Sequence, residues 1–403
     1  MGRADGCGLV TALERGPVRI ALVGRDADRV LAFRGSLIRL AQREGHQVIA
    51  ITGPAGEGEA RRLEEAGVQW FAAPLDGGGM NPMRDLAYAG ALERILRAQR
   101  ADAVLAYNPK CLAHAPLAAR RAGARRVVGM VTGLGHGFIG RGWRERLVRL
   151  AKARLYRRAF AACDEVLVQN DDDVRELRAC GALRNLIGTH VRRIAGSGVD
   201  LERFAPTALP PGAHFLMIAR PLREKGLPEF LQASRIVHEQ VPSATFTWLG
   251  SKSDPNPSAI DRGTLEGWLA TGVVRYLPEC GDVRPAIAAC SIFVLPSHRE
   301  GTSKVMLEAM AMGRPIITTD APGCSHLVQG GHVGVSVPVG DVRALASAMT
   351  VLAQDGRRRA DAGVAARHEV ERHFDAQMVD RATLEALVGY REGQERPRER
   401  VPD

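Results

Sequence analysis

Residues 292–319, IFVLPSHREGTSKVMLEAMAMGRPIITT, contain one complete unit of the fold. The stretch opens with a continuous apolar run, 292–296, that has the length of a buried β-strand. A hydroxyl-rich turn leads into an apolar helix that stops at Gly313, a residue typical of helix C-termini. A second strand-length run, 315–319, follows. Two continuous apolar strands joined by a helix predict a parallel sheet covered on both faces.

The same alternation of strands and helices runs along almost the whole chain. The strands predicted in the first half are 18–24, 47–52, 68–73, 103–107, 127–132 and 165–169. Those in the second half are 215–219, 245–249, 273–277, 292–296, 315–319 and 333–337. Helical stretches separate them, for example 33–44, which ends before Gly45. The fold class is therefore α/β, with two Rossmann-like, doubly wound domains that face each other across a cleft.

The boundary between the two domains is placed in the Gly- and Pro-containing stretch that follows Gly196. We predict a first domain over 17–200 and a second over 201–374. Residues 375–390 form a last helix, whose apolar pattern includes Met378, Leu384 and Leu387. We expect this helix to pack back on the first domain. The charged tail 391–403 is predicted to be disordered.

Composition narrows the classes of protein that the chain can belong to. Of 403 residues, 45% are hydrophobic and 25% charged, which is typical of globular domains. No uninterrupted apolar run of about 18 residues occurs, and the first 17 residues lack the apolar region of a secretory signal. The seven cysteines form no C-x-x-C pair, so we expect a reducing, cytoplasmic setting and no metal site.

The net charge of +10 suits nucleic acid, anionic lipid or a phosphorylated ligand. Neither a zinc module nor an aromatic RNA-binding signature is present, so nucleic acid is not the expected partner.

Two cations follow the strand 215–219. Arg220 and Lys225 lie in the loop at the carboxyl end of this strand, before a helix that opens at Pro228. Cations beside a helix N-terminus suit a diphosphate, although a solvated basic loop would show the same residues.

The turn inside 292–319 carries the second set of candidate residues. The backbone N–H groups of Thr302, Ser303, Lys304 and Val305 open a helix and would face a phosphate. Glu308 lies one to two turns further on, in a helix too apolar to be widely exposed, where a carboxylate needs a partner such as ribose hydroxyls.

These residues resemble the retaining glycosyltransferases of family 4, which have the GT-B fold. The resemblance covers nearly the whole chain, and its specific parts are Glu300-x7-Glu308, Arg220 with Lys225, Gly198-Val199-Asp200 with Phe204, and the run from Glu308 to Pro315. The stretches 131–135, 169–173, 196–204 and 319–324 are similar to a bacterial subgroup. That subgroup extends sugars on undecaprenyl diphosphate, as in N-glycan N-acetylgalactosaminyl transfer and in capsule and exopolysaccharide assembly.

The resemblance implies a role for each matching residue. Arg220 and Lys225 hold the donor diphosphate and stabilise the leaving group, and Glu300 binds the transferred sugar. Those three residues are the catalytic candidates. Glu308 binds the ribose, and the loop with Glu279 and Cys280 contacts the base. Gly301, Thr302, Ser303, Lys304 and Val305 complete the donor site, and no cofactor is implied beyond the UDP-sugar substrate.

The acceptor side is expected in the first half, at Gly24, Arg34, Thr132 and His136. Many family members have a histidine where this chain has Thr132, and His136 is a possible substitute or merely an exposed residue. Because transfer in this family is described as front-face and needs no protein nucleophile, Thr132 does not exclude activity.

The stretch 135–140, GHGFIG, also matches the G-x-G-x-x-G fingerprint of dinucleotide-binding proteins. The fingerprint normally follows the first strand of its domain, whereas here the preceding strand comes late. We therefore disfavour dinucleotide binding.

A basic amphipathic segment begins at Trp143 and ends at Ala162. It mixes arginines and Lys152 with Leu150, Tyr156 and Phe160. Such a helix either binds an anionic membrane surface or covers the sheet with a solvated basic face. We favour the membrane, because the acceptor implied by the resemblance is lipid-linked. The predicted protein is thus a peripheral enzyme on the inner face of the cell membrane.

Two other functions stay open. A GT-B sugar-nucleotide 2-epimerase would need an acid–base constellation that the first half does not show. A catalytically inactive sugar-nucleotide-binding protein is suggested only by Thr132. The sugar, the linkage and the oligomeric state do not follow from the sequence.

Overall fold

A computed structural model describes residues 16–75, 81–134, 143–184, 186–254, 256 and 258–389, without the side chains of 143–147. The described residues form two α/β domains, each built on a parallel sheet with helices on both faces. The GT-B architecture predicted from the alternation of strands and helices is confirmed.

The first domain contains a seven-stranded parallel sheet in the order β3-β2-β1-β4-β5-β6-β7. Its strands are β1 Arg19–Val23, β2 Gln47–Thr52, β3 Gln69–Ala72, β4 Ala103–Tyr107, β5 Arg126–Val131, β6 Glu165–Val168 and β7 His190–Arg193. Its helices are α1 Ala27–Arg43, α2 Glu57–Glu65, α3 Pro82–Ala98, α4 Pro109–Ala122, α5 Trp143–Phe160 and α6 Asp171–Ala179.

The second domain contains a six-stranded parallel sheet in the order β10-β9-β8-β11-β12-β13. Its strands are β8 His214–Ile218, β9 Thr245–Gly250, β10 Val274–Pro278, β11 Ile292–Leu295, β12 Ile316–Thr319 and β13 Gly334–Val337. The helices that follow β8 are α7 Leu227–Gln240, α8 Arg262–Leu269, α9 Arg284–Ala288, α10 Lys304–Ala311, α11 Val342–Gln354, α12 Gly356–His373 and α13 Ala376–Val388.

Strand β1 shows why the apolar runs are continuous. Ala21 and Val23 pack into the core on one face of the sheet, and Ile20 and Leu22 pack into the core on the other. Because both faces are covered, successive residues of the strand are all buried, and no polar alternation is left in the sequence.

The polypeptide passes between the domains at two adjacent points. Val199 donates to the carbonyl of Phe374 at 2.8 Å, and Ala376 donates to the carbonyl of Val199 at 3.0 Å. Helix α13 then packs on α1, β4 and β5, with Leu384 and Leu387 in the core of the first domain. The chain therefore begins and ends its described part in the first domain.

Two local expectations were wrong. Strand β7 was not predicted, since His190–Arg193 is a short edge strand with two arginines and no apolar run. Helix α1 begins at Ala27, six residues before the predicted start, because Ala27 and Val30 pack into the core. The predicted tail 391–403 lies outside the described residues, as do GHGFIG and His136.

Among the helices that the structure describes, none combines the length and the apolar content needed to cross a bilayer. In the same residues, no group of three or more His, Cys, Asp or Glu side chains is placed to hold a metal ion.

Candidate active site

The loop between β11 and α10 carries Glu300 and lies at the carboxyl edge of the second sheet. Ser303 is the N-cap of α10 and adopts an extended conformation without a side-chain capping hydrogen bond. The first-turn N–H groups of the helix are thus not capped by Ser303 and point toward the loop. A helix N-terminus in this state suits a phosphate.

Lys225 and Glu300 form an ion pair across this edge. The Lys225 Nζ atom lies 2.7 Å and 2.8 Å from the two carboxylate oxygens of Glu300. Their side chains are 22% and 12% exposed, so the pair is open on one side. The two residues predicted to bind different parts of a donor are therefore in direct contact.

The Lys225 turn and the Glu300 loop are also tied through the backbone. The Glu224 carbonyl accepts from the Ser297 hydroxyl at 3.0 Å and from the His298 N–H at 2.8 Å. Gly226 has a φ of +74°, and a Cβ there would lie 2.0 Å from the Pro296 carbonyl oxygen. Only glycine fits this position, where the two loops touch.

Arg220 follows β8 at the same edge of the sheet. Its Nη1 atom lies 3.1 Å from Asp254 Oδ2, and its side chain is 40% exposed. The ion pair orients the guanidinium while leaving part of it accessible. Asp254 was not predicted as a site residue, because nothing in the local sequence marks it as a partner of Arg220.

Glu308 lies inside α10 and is only 7% exposed, so its predicted burial is confirmed. Burial raises the pKa of Glu308 to about 7, and the charges of Lys304 and Arg203 oppose this shift. Among the described residues, none makes a hydrogen bond to the Glu308 carboxylate. Its oxygens are not fully enclosed, so two ligand hydroxyls could reach and donate to them.

Lys304 extends away from the helix N-terminus toward the first domain. Its ammonium donates to the Ala32 carbonyl of α1 and lies 5.1 Å from the centroid of the Phe33 ring. Burial lowers the pKa of Lys304. Its backbone remains in the first turn of α10, whereas its side chain joins the two domains.

Glu279 and Cys280 follow the edge strand β10. The Glu279 N–H donates to the Gly250 carbonyl at 3.0 Å, and the Cys280 thiol is exposed and contacts the Asp282 carbonyl at 3.1 Å. These residues lie at the carboxyl ends of the strands, as Arg220 does, because β10 and β8 are both parallel neighbours of β9.

In the first domain, Thr132 follows β5 and touches the Glu300 loop. A Cβ at Gly301 would lie 2.6 Å from the Thr132 carbonyl oxygen and 2.7 Å from Gln169 Oε1. The predicted acceptor-side loop and the predicted donor loop are therefore in contact across the cleft, and position 301 has no room for a side chain.

Gly24 and Arg34 lie deeper in the first domain than the sequence indicates. A Cβ at Gly24 would overlap the Tyr107 hydroxyl at 2.4 Å. Arg34 is 2% exposed, stacks 5.1 Å from the centroid of the Tyr107 ring and donates to Ser197 Oγ at 3.4 Å. Desolvation lowers the pKa of Arg34. This guanidinium lies beneath the cleft surface and supports it.

A corner of the first domain between β6 and α6 also reaches the Glu300 loop. Asn170 Nδ2 donates to the Gly301 carbonyl at 2.6 Å, and Arg299 Nη2 lies 2.5 Å from Asp173 Oδ1. The stretch 169–173 resembles the bacterial subgroup, but no role was predicted for Asn170 or Asp173. The signal in the sequence is an N-cap asparagine followed by three aspartates in the first turn of α6.

Helix α5 covers the first sheet next to α4. Its residues Ala153, Tyr156 and Phe160 are buried, whereas Arg154, Arg157 and Arg158 are exposed. Leu150 is 48% exposed on the same helix. The described part of the segment thus has a buried face and a basic face.

The chain matches two family models that lie side by side along it. Residues 23–187 match a glycosyl transferase 4-like domain, and residues 212–355 match the glycosyl transferases group 1. The boundary between the two matches falls where the polypeptide passes between the domains. The chain belongs to the family 4 glycosyltransferases.

Relatives of this glycosyltransferase include the N,N'-diacetylbacillosaminyl-diphospho-undecaprenol alpha-1,3-N-acetylgalactosaminyltransferase of Campylobacter jejuni. It is 26% identical over 85% of this chain and 91% of its own length. The capsular polysaccharide biosynthesis glycosyltransferase CapM of Staphylococcus aureus is 28% identical over 40% of this chain and 42% of its own. The glycosyltransferase is thus similar to enzymes of glycan and polysaccharide assembly, one of which acts on a lipid-linked saccharide.

A solved structure, Anabaena Alr3699/HepE in complex with UDP-glucose, has the same fold as this glycosyltransferase. The two superpose with a TM-score of 0.73 at 17% identity, over 92% of this chain and 100% of the other. The comparison covers both domains.

Proposed function

We propose that this glycosyltransferase moves a hexose or an N-acetylhexosamine from a UDP-sugar to a saccharide carried on polyprenyl diphosphate. The transfer retains the anomeric configuration, needs no metal ion, and takes place on the cytoplasmic face of the cell membrane. The observation that carries the donor assignment is Glu308, a residue that is only 7% exposed and whose carboxylate receives no hydrogen bond from the described residues. A ribose with two adjacent hydroxyls would supply both missing donors.

The other predicted donor groups lie in the same domain as Glu308, in loops that follow the strands of the second sheet. The uncapped N-terminus of α10 and the exposed part of Arg220 suit the diphosphate. Lys225, which is paired with Glu300 in the structure, is a second cation for the diphosphate. Glu279 and Cys280 lie at the sheet edge where the base would extend.

The chemistry follows from these positions. The acceptor hydroxyl attacks the anomeric carbon on the face from which the diphosphate leaves, the bond to the diphosphate oxygen breaks, and that oxygen takes the hydroxyl proton. Negative charge grows on the leaving diphosphate, where Arg220 and Lys225 stabilise it. Glu300 orients the sugar by accepting hydrogen bonds from its hydroxyls.

Two comparisons support the substrates. The Campylobacter relative acts on a diphospho-undecaprenol-linked saccharide, and the Anabaena structure holds UDP-glucose. The basic outer face of α5 suits an anionic membrane, where such an acceptor would lie.

The test is transfer of radiolabelled sugar from UDP-glucose, UDP-GlcNAc or UDP-GalNAc into bacterial lipid extracts. We expect lipid-bound label with the wild type and a strong loss of label with Glu308→Ala. Label that stays entirely in the nucleotide fraction for all three donors would contradict the proposal. Epimerised UDP-sugar in the absence of acceptor would instead support a 2-epimerase.

A further inference from the structure

The corner between β6 and α6, residues 169–173, binds the Glu300 loop from the opposite domain; we name it the α6 corner. Besides the two contacts of Asn170 and Asp173, the Thr302 hydroxyl donates to the Gln169 carbonyl at 3.2 Å. The Gly323 N–H donates to Asp172 Oδ2 at 3.3 Å. Four of the five residues 169–173, all except Asp171, thus bond to the other domain.

These contacts lie on both sides of Glu300. Arg299 precedes it, and Gly301 and Thr302 follow it. The backbone N–H of Glu300 donates to the Pro322 carbonyl at 3.0 Å, next to the Gly323 that Asp172 binds. The residues on either side of Glu300 therefore contact the first domain, whereas the N–H and the carboxylate of Glu300 are bound by Pro322 and Lys225 of its own domain.

Burial makes the contacts of the α6 corner specific. The Asp173 side chain is 0% exposed and that of Arg299 is 10% exposed. Desolvation raises the pKa of Asp173, while Arg299 and Asn170 favour its ionised form. A buried ion pair adds little net stability, but removing one partner leaves an uncompensated charge. The pair therefore fixes geometry more than it contributes to the free energy of unfolding.

Asn170 uses both ends of its amide. Its Oδ1 atom accepts from the Asp173 N–H at 2.7 Å and caps α6, while Nδ2 donates to the Gly301 carbonyl. Nδ2 also lies 3.1 Å from Asp173 Oδ2. An aspartate at position 170 would still cap α6 but could not donate to the Gly301 carbonyl. Its negative charge would instead face two acceptors, the Gly301 carbonyl and the Asp173 carboxylate.

We propose that Asn170 and Asp173 are positioning residues, which place the Glu300 carboxylate for the donor sugar only when the two domains are closed. This inference rests on the proposed function of Glu300. When the domains separate, the loop of Glu300 loses every contact of the α6 corner and keeps Lys225, which the diphosphate also attracts. Nucleotide binding therefore needs only the second domain, whereas binding and transfer of the sugar need both.

The test compares Asn170→Asp and Asp173→Asn with Asp171→Asn. Asp171 is in the same helix turn but is exposed and lies 3.7 Å from Arg193 of its own domain, so this variant removes a charge without breaking a hydrogen bond or an ion pair across the cleft. Calorimetry measures the Kd of UDP and the Kd of one UDP-sugar. That UDP-sugar is the one of UDP-glucose, UDP-GlcNAc and UDP-GalNAc that the wild type binds most tightly. Transfer assays measure kcat and KM.

We expect all three variants to bind UDP within about twofold of the wild type, since UDP contacts only the second domain. In Asn170→Asp and Asp173→Asn, the affinity for the UDP-sugar relative to the affinity for UDP should fall about tenfold or more. The kcat should fall by a similar factor. Asp171→Asn should match the wild type. In small-angle scattering, saturating UDP-sugar should reduce the radius of gyration of the wild type and of Asp171→Asn, but not of the other two.

Three results would overturn the inference. Unchanged sugar-dependent affinity and unchanged kcat in both corner variants would show that Glu300 is placed without the α6 corner. An equal loss of affinity for UDP and for UDP-sugar would show a general role in folding. A wild type that binds none of the three UDP-sugars would refute the proposed function itself, and the inference with it.

Discussion

Lys225 and Glu300 are 75 residues apart in the chain, yet the ammonium of one contacts both carboxylate oxygens of the other, at 2.7 Å and 2.8 Å. In the proposed reaction Lys225 binds the diphosphate and Glu300 binds the sugar. The carboxylate and the diphosphate therefore compete for one ammonium, and the donor has to draw Lys225 partly away from Glu300. This competition separates nucleotide binding from catalysis in a measurable way.

Replacing Glu300 with Gln should leave UDP binding unchanged or make it several-fold tighter, because the competing carboxylate is neutralised. The transfer rate should fall by about 10- to 150-fold, the equivalent of one hydrogen bond to a charged group at about 1.5–3 kcal/mol. Calorimetry with UDP and a transfer assay give the two values. A parallel loss of UDP affinity would contradict the competition.

Replacing Glu308 with Ala should weaken UDP binding by about 10- to 150-fold, since it removes a charged acceptor of ribose hydroxyls. The matched control is Glu369→Ala in α12, because Glu369 is outside the proposed site. Calorimetry measures both variants. If Glu308→Ala binds UDP like the wild type, the ribose assignment is wrong.

The affinity for UDP-glucose should depend on pH through Glu308. Burial raises the pKa of this carboxyl to about 7, and only its ionised form offers both oxygens as charged acceptors for two ribose hydroxyls. Binding therefore releases a proton below the pKa, and the affinity should rise by up to about tenfold per pH unit toward pH 7 and then level off. The diphosphate of UDP-glucose does not titrate in this range.

The control for the pH dependence is Glu308→Gln, which keeps the shape of the side chain and does not titrate. Its affinity should be the same on both sides of pH 7. An equally steep pH dependence in this variant would assign the effect to another group.

Replacing Gly301 with Ala should reduce transfer by about tenfold or more and spare UDP binding. The new Cβ would overlap the Thr132 carbonyl and Gln169 Oε1, so the domains could not close fully. Gly267→Ala is the control, because a Cβ there meets nothing within 4 Å and α8 gains a better helix former. Full transfer activity in Gly301→Ala would show that closure at this point is not needed.

Replacing Arg154, Arg157 and Arg158 together with Gln should weaken binding to anionic vesicles by about tenfold or more at low salt. Each exposed cation near an anionic surface contributes about 1 kcal/mol. The control changes Arg357, Arg358 and Arg372, which are exposed on α12 of the second domain. Co-sedimentation measures both. Equal losses in the two variants would indicate an effect of net charge alone, and no binding by the wild type would refute the membrane assignment.

Local sequence was enough to predict most of the scaffold. Strands β2 and β4 match the prediction to the residue because they are buried on both faces, which makes them unbroken apolar runs. The burial of Glu308 followed from the apolar residues around it. Strand β7 was not predicted, because this edge strand contains Arg192 and Arg193 and has no apolar run.

The pairings within the site could not be predicted in the same way. The contact of Lys225 with Glu300 and that of Arg220 with Asp254 depend on which loops meet at the carboxyl ends of the strands. The number of residues between two positions does not indicate whether their loops meet. The side chain of Lys304 reaches Ala32, and Asn170 reaches Gly301, because of how two separate domains are placed. Local periodicity describes each domain and carries no information on that placement.

The adjacent crossings at Val199 and Phe374–Ala376 give the molecule a modular construction. The chain leaves the first domain and returns to it through neighbouring backbone segments. The second domain is therefore connected like an insertion whose two ends lie side by side. A donor domain from a related enzyme could be exchanged at these two points without altering the first sheet or α13. Such chimeras would show how far the choice of nucleotide sugar follows the second domain when the contacts of the α6 corner are kept.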